Sequence, residues 1–183
     1  MPRDRRPPTP LDAARLEELA LAYVARFATS AGKLGQYLRR KLRERGWDGA
    51  GEPDAQALVA RFVAAGYVDD AGFARGRATS LRRRGYGDRR VEQALRGAGI
   101  SEEERSAVRA SEGEARRAAL TLARKRGFGP FGPEPPDPAK REKQLAAMLR
   151  AGHALDTARK LLNAQGEAEA LEWVDEAAEL DTR

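Results

Sequence analysis

Cysteine is missing from the 183-residue chain, and histidine occurs once, at His153. The first absence excludes disulfides, thiolate zinc sites and cysteine nucleophiles; the second removes most histidine-based catalytic and metal constellations. No catalytic residue, metal site or cofactor is assigned, and the chain reads as a binding protein rather than an enzyme. Aromatics are scarce at 6% of residues, with five Phe, four Tyr and two Trp, while Ala and Leu dominate the apolar set. Small, closely packed helices are the economical way to bury such a set, so the expected class is all-α. No apolar run approaches the roughly 20 residues of a membrane helix, and "MPRDRRPPTP" has no hydrophobic stretch behind it. A cytoplasmic protein with no membrane partner is expected.

Charge is abundant by contrast, and it is unevenly placed. The net charge is +6, yet residues 164–183 hold Glu167, Glu169, Glu172, Asp175, Glu176, Glu179 and Asp181 against Arg183 alone. That stretch therefore carries −6, and the remainder of the chain carries +12. A body this basic suits nucleic acid or an acidic protein groove. The acidic stretch reads equally well as a competitor for the basic face or as a solvated amphipathic helix.

Glycine precedes a bulky residue at what look like helix ends: "RERGW", "VAAGYV", "RRRGYG", "RGAGI", "RKRGFG" and "LRAGH". Glycine there supplies the left-handed conformation that ends a helix, and the next residue folds back onto the last turn. Between these ends run apolar residues at 3.6-residue spacing: Leu16 to Phe27, Leu34 to Leu42, Leu58 to Val63, Phe73 to Leu81, Val91 to Ala98, a short segment at Ala107 and Val108, Ala115 to Leu122, Leu145 to Leu149, and Leu155 to Leu162. A tenth helix is expected around Leu171, Val174 and Ala178. Leu42, Leu95 and Leu149 recur at spacings of 53 and 54 in similar surroundings, which implies three tandem three-helix repeats. The expected layout is a flexible basic segment over 1–10, repeats over 11–66, 67–112 and 113–164, and an acidic helical tail over 165–183. Stacked repeats of this kind build an elongated, curved body.

Basic residues cluster at Arg39, Arg40, Lys41 and Arg43, at Arg82, Arg83, Arg84, Arg89 and Arg90 around Tyr86, and at Arg124, Lys125 and Arg126. Cations in a last helical turn complement the dipole, but Arg89 and Arg90 open a helix, where they are unfavourable, so partner or phosphate binding is assigned to these three clusters together with Tyr86. A base-reading helix-turn-helix would offer Asn, Gln, Ser or Thr, and here only Gln93 is at hand. Asp69 and Asp70 read as caps of the following helix, His153 as a helix-end contact, and Trp47, Tyr67, Tyr86 and Phe128 mostly as core-facing staples. "GFGPFGP" lacks the Gly-Lys-Ser/Thr ending of a phosphate loop, so nucleotide binding is discounted.

The segment "AAGYVDDAGFARGRATSLRRRGYGDRRVEQALRGAGI" resembles the RecX family, regulators of the RecA recombinase. It carries "GYVDD" followed by Phe73-Ala74, then "RGYG", then a helix ending in Gly99-Ile100, in that order. The resemblance extends over roughly residues 15–163. It implies a monomer of three helical repeats lying in the groove of the RecA-DNA filament. It further implies inhibition of recombinase, ATPase and co-protease activities by blocking extension or promoting disassembly. Single- or double-stranded DNA is a further expected partner, and the alternative reading is a general, sequence-indifferent DNA-binding protein that tracks phosphates.

Overall fold

The structure is a computed structural model that describes residues 9–134 and 137–181; most of the N-terminal segment expected to be flexible lies outside the described residues. Among these residues the chain is all-α, with ten helices: α1 (Ala13–Arg26), α2 (Ala31–Arg45), α3 (Ala55–Ala64), α4 (Asp70–Arg83), α5 (Asp88–Gly97), α6 (Glu102–Ala107), α7 (Glu112–Arg126), α8 (Pro138–Arg150), α9 (Leu155–Leu162) and α10 (Glu167–Leu180). A 3-10 turn at Gly129–Phe131 interrupts the connection between α7 and α8. No described helix is long and apolar enough to cross a membrane.

Helix starts are set by short polar side chains. Asp12, Ser30, Asp54, Ser101, Ser111 and Asp137 each accept a backbone N–H from three residues on, satisfying donors that the helix itself cannot. Ser101 with Glu104 and Ser111 with Glu114 complete reciprocal capping boxes. Helix ends follow the glycine pattern: Gly46, Gly66, Gly85, Gly99, Gly127 and Gly152 all have φ between 61° and 96°. At four of them the next N–H reaches back to the last turn, Tyr67 to Phe62, Tyr86 to Leu81, Phe128 to Ala123 and His153 to Met148. The residue that folds back is not always the one after glycine. Ile100 and His153 are buried as expected, but Tyr67 is 57% exposed and Val68 takes the core position instead. Tyr67 keeps a tilted ring contact with Phe62 at 5.3 Å.

The chain divides into two compact units. The first takes in the described residues through Phe73 together with Ala98–Ile100. Its core is Leu11, Leu16, Ala20, Leu34, Leu38, Leu58, Phe62 and Val68, small aliphatics around one ring. Leu11 is fully buried and pairs with Trp47, so the chain is fixed to the core two residues before α1 begins. Phe27, expected on the apolar face of α1, is instead its C-cap and is 54% exposed. The start of α2 is held by three contacts: Ser30 Oγ donates to Ala98 O at 2.5 Å, Ala31 N donates to Asp70 Oδ1 at 2.8 Å, and Gly32 lies so close that a Cβ would come within 2.5 Å of Ala98 O.

The second unit takes in Ala74–Gly97 and the described residues from Ser101 on. Its main core joins Ala119, Leu122, Ala123, Met148, Ala158, Leu161 and Leu162 with Ala170 and Val174 of α10. The acidic helix is thus part of this core and not a loose competitor for cations. Asp181 Oδ2 accepts from Ser111 Oγ and Gly113 N at the start of α7, and Arg116 donates to Trp173 O while lying 4.4 Å from that ring. The carboxylates of Glu172, Asp175 and Glu176 face outward on the opposite side of α10. That is an amphipathic helix, apolar stripe in and charge out.

Candidate functional site

Several cations of the second unit are spoken for within the fold. Arg82 donates to Asp88 Oδ1 at 2.7 Å and to Val108 O at 2.6 Å, and lies 3.8 Å from Glu114. Arg96 pairs with Glu92, Arg105 with Glu92 and Glu102, Arg109 with Glu102, and Arg116 with Glu112. A second set has no carboxylate partner among the described residues, and part of it gathers around Tyr86.

Tyr86 sits between two hollows, each of about 380 Å³. One is lined by Arg84, Lys125, Arg126 and Arg150 with Phe128 and Leu122; the other by Arg77, Arg84 and Arg90 with Gln93. No acidic side chain lines either hollow among the described residues. Three helix ends supply the cations of the first: α4 runs out just before Arg84, Lys125 and Arg126 close α7, and Arg150 closes α8. Each helix C-terminus contributes about half a negative charge, so three of them offset less than half of four full positive charges. The surplus is a field that attracts anions.

The walls of this cleft are locked together by backbone contacts. Gly87 N donates to Ala151 O at 3.0 Å and Arg89 N to Gly152 O at 3.2 Å, so the end of α8 fills the open N–H groups at the start of α5. The two strands of backbone meet at Gly87, where a Cβ would come within 2.4 Å of Gly152 O. Buried His153 adds a side-chain tie, its Nε2 donating to Gly85 O at 2.9 Å. Because a carbonyl can only accept, the ring proton lies on Nε2. Burial lowers the His153 pKa below the usual histidine value, while the bond to Gly85 raises it by less.

The expected site residues divide accordingly. Arg84, Tyr86, Arg90, Lys125 and Arg126 line the two hollows. Arg82 does not belong with them: its side chain is 13% exposed and held by Asp88 and Glu114, so it is a structural tie and not a binding surface. Arg83 is exposed outside both hollows, and Arg124 lies 5.5 Å over the Phe131 ring. Arg89 faces a different hollow, beside Glu92 and Glu102. The α2 cluster belongs to the first unit. There Arg39 and Arg43 are exposed, whereas Glu44 engages Lys41 at 2.7 Å and Arg40 at 3.5 Å, and both cations lean over Tyr37. The Lys41 hydrogen bond holds the Glu44 carboxyl below its usual pKa.

Arg77, Arg150 and the cleft-facing role of Phe128 are additions that the sequence pattern did not single out. Arg150 carried a signal, since "LRAGH" repeats the basic-then-glycine grammar of "LRGAGI". Asp69 and Asp70 do act as caps, Asp69 Oδ1 accepting from Gly72 N in α4, but Asp70 accepts from Ala31 N at the start of α2. No group of three metal-ligating side chains occurs among the described residues.

No protein-family model matches the chain. It is, however, similar to a regulatory protein RecX of Myxococcus xanthus, 33% identical over 157 residues that cover 81% of this chain and 84% of the relative. A regulatory protein RecX of Stenotrophomonas maltophilia is 36% identical over 67% of this chain and 72% of its own length. A third, of Thermus thermophilus, is 38% identical over a shorter stretch, 46% of this chain and 56% of the relative.

Proposed function

This chain belongs to the RecX family, and from that membership we propose that it regulates the RecA recombinase by binding the RecA-DNA filament and inhibiting it. The action is one of binding energy alone, with no bond made or broken. The observation that carries the reading is the set of cations around Tyr86 that have no carboxylate beside them among the described residues. Leaving charges uncompensated opposes folding through self-repulsion, and a polyanionic partner supplies the missing countercharge. A regulator need only favour one filament state over another by about 1 to 3 kcal/mol per site to shift the equilibrium appreciably.

The same reading divides the chain into three helical repeats, 11–66, 67–112 and 113–164, followed by α10. A recurring contact supports it. The end of α5 at Ala98 meets the start of α2 at Ser30 and Gly32; the end of α8 at Ala151 and Gly152 meets the start of α5 at Gly87 and Arg89. The carbonyl of Gly46, at the end of α2, accepts instead from Leu11 N at 3.0 Å. Repeats of this kind spanning more than one RecA protomer would occupy the groove that duplex DNA or a repressor must enter.

The test is DNA-dependent ATP hydrolysis by the cognate RecA on single-stranded DNA, with this protein added after filaments have formed. Substoichiometric inhibition that survives excess bare DNA is expected. Inhibition seen only when the DNA itself is titrated away would replace the reading with that of a DNA-coating protein.

A further inference from the structure

Two surfaces of the second unit match each other in charge but lie where a single chain does not join them. We propose that the chain self-associates head to tail, the acidic outer face of α10 in one copy docking on the cationic cleft around Tyr86 in the next. The inference goes beyond the regulatory reading and does not depend on it.

The acidic face is unfavourable for a chain on its own. Glu172, Asp175 and Glu176 stand at i, i+3 and i+4 on α10, all three exposed, and none has a cation beside it among the described residues. Like charges at this spacing repel each other along the helix surface. The stripe continues to exposed Glu179 in the last turn, where the helix dipole opposes an anion. The helix is nonetheless fixed in place, because Asp181 accepts from Ser111 and Gly113 while Arg116 donates to Trp173 O. The carboxylates therefore form a rigid ridge and not a fraying tail.

The same contacts decide where the countercharge comes from. They set α10 antiparallel to α7, with Trp173 beside Arg116 and Asp181 beside the first turn. The cleft cations Lys125 and Arg126 stand in the last turn of α7. From Arg116 to Arg126 the helix climbs about 15 Å, and salt at 0.1 M screens charges over about 10 Å. Ridge and cleft thus stay apart within one chain. Between copies they meet as convex on concave: the two hollows share Arg84 and Tyr86, and no acidic side chain lines them among the described residues. The net charge of +6 opposes association, but screening confines the balance to the charges nearest the contact, and these are opposite in sign.

Ridge and cleft are different surfaces, so the contact is heterologous, and a copy that gives its ridge still offers its cleft. Copies add in a row instead of closing as a symmetric pair. A copy within the row has its cleft covered, and self-association competes with any polyanionic partner for the same cations. The monomer implied by the resemblance then holds for dilute protein or high salt.

The experiment is sedimentation velocity of the full chain alone, over a range of protein concentration at low and high salt. At low salt the mass should climb with concentration past twice that of the single chain, and high salt should return it to one chain. Two variants separate the surfaces: Glu172→Gln with Asp175→Asn and Glu176→Gln neutralises the ridge, and Lys125→Gln with Arg126→Gln and Arg150→Gln neutralises cations of the cleft. All six positions are exposed, and unchanged circular dichroism and melting show that each variant is folded. Each variant alone should remain a single chain, whereas their equimolar mixture should form a heterodimer and nothing larger, since one native ridge and one native cleft remain. A native chain that stays single at every concentration in low salt would overturn the proposal. So would a mass that stops at a symmetric pair, association that survives in either variant alone, or a mixture that does not pair. RecA takes no part in the assay, so each of these outcomes leaves the regulatory reading untouched.

Discussion

Arg82, Arg83 and Arg84 follow one another in the chain and do three different things. Arg82 turns inward to Asp88 and Val108, Arg83 is exposed, and Arg84 enters the cleft. Successive residues on a helix point about 100° apart, so a run of arginines cannot all share one face. Removing the Arg82 guanidinium takes the cation from Asp88 Oδ1, whose other oxygen still accepts from Ala110 N, and removes the donor to the Val108 carbonyl. Because Asp88 and Glu114 are partly exposed, the full cost of breaking a buried pair is discounted, and Arg82→Met should lower stability by about 2 kcal/mol in urea unfolding. Arg83→Met should leave stability unchanged. A second prediction concerns His153, whose folded pKa is lowered chiefly by burial. The unfolded chain then binds more protons below its ordinary value near 6.5. The contribution of neutral His153 is therefore complete above that pH and declines as pH falls through it. Urea midpoints at pH 7.5 and 5.5 should differ more for the native chain than for His153→Gln; an equal difference would remove His153 from the account.

At the scale of elements, glycine placement separates capping from packing. Gly76 lies inside α4 with nothing within 4 Å of the place a Cβ would take, whereas a Cβ on Gly87 would strike the Gly152 carbonyl at 2.4 Å. Gly76→Ala should therefore stabilise by roughly 0.5 to 1 kcal/mol. Gly87→Ala should destabilise by about 2 kcal/mol or more, because backbone on both sides must move. Melting of the two variants checks both signs. Helix number, order and glycine ends were legible in the sequence, since periodicity and capping are local properties. Tyr67 and Phe27 were misjudged because apolar spacing alone does not say where a helix leaves its neighbours: Val68 is buried in place of one, and the other caps α1 in the open. Leu11 was missed because a single apolar residue after a proline-rich stretch has no period to betray it.

At the scale of the molecule, the sequence suggested that cations would matter but not which of them remain unneutralised. That depends on contacts such as Arg105 with Glu92 and Arg150 beside Tyr86, brought together across long stretches of chain. The acidic C-terminal stretch shows the same limit. Its charge was plain, yet Ala170, Val174 and Ala177 are buried and tie it to α7 and the core of the second unit. Truncation before residue 165 should consequently broaden and lower the unfolding transition, not merely unmask cations, as differential scanning calorimetry would show. We propose that the uncompensated cations around Tyr86 are the surface through which the chain acts on RecA filaments. The most direct test is the RecA ATPase assay with the native chain beside a folded variant carrying Arg84→Glu, Lys125→Glu, Arg126→Glu and Arg150→Glu. The variant should lose inhibition at protein concentrations where the native chain is fully active. Inhibition undiminished in the folded variant would contradict it.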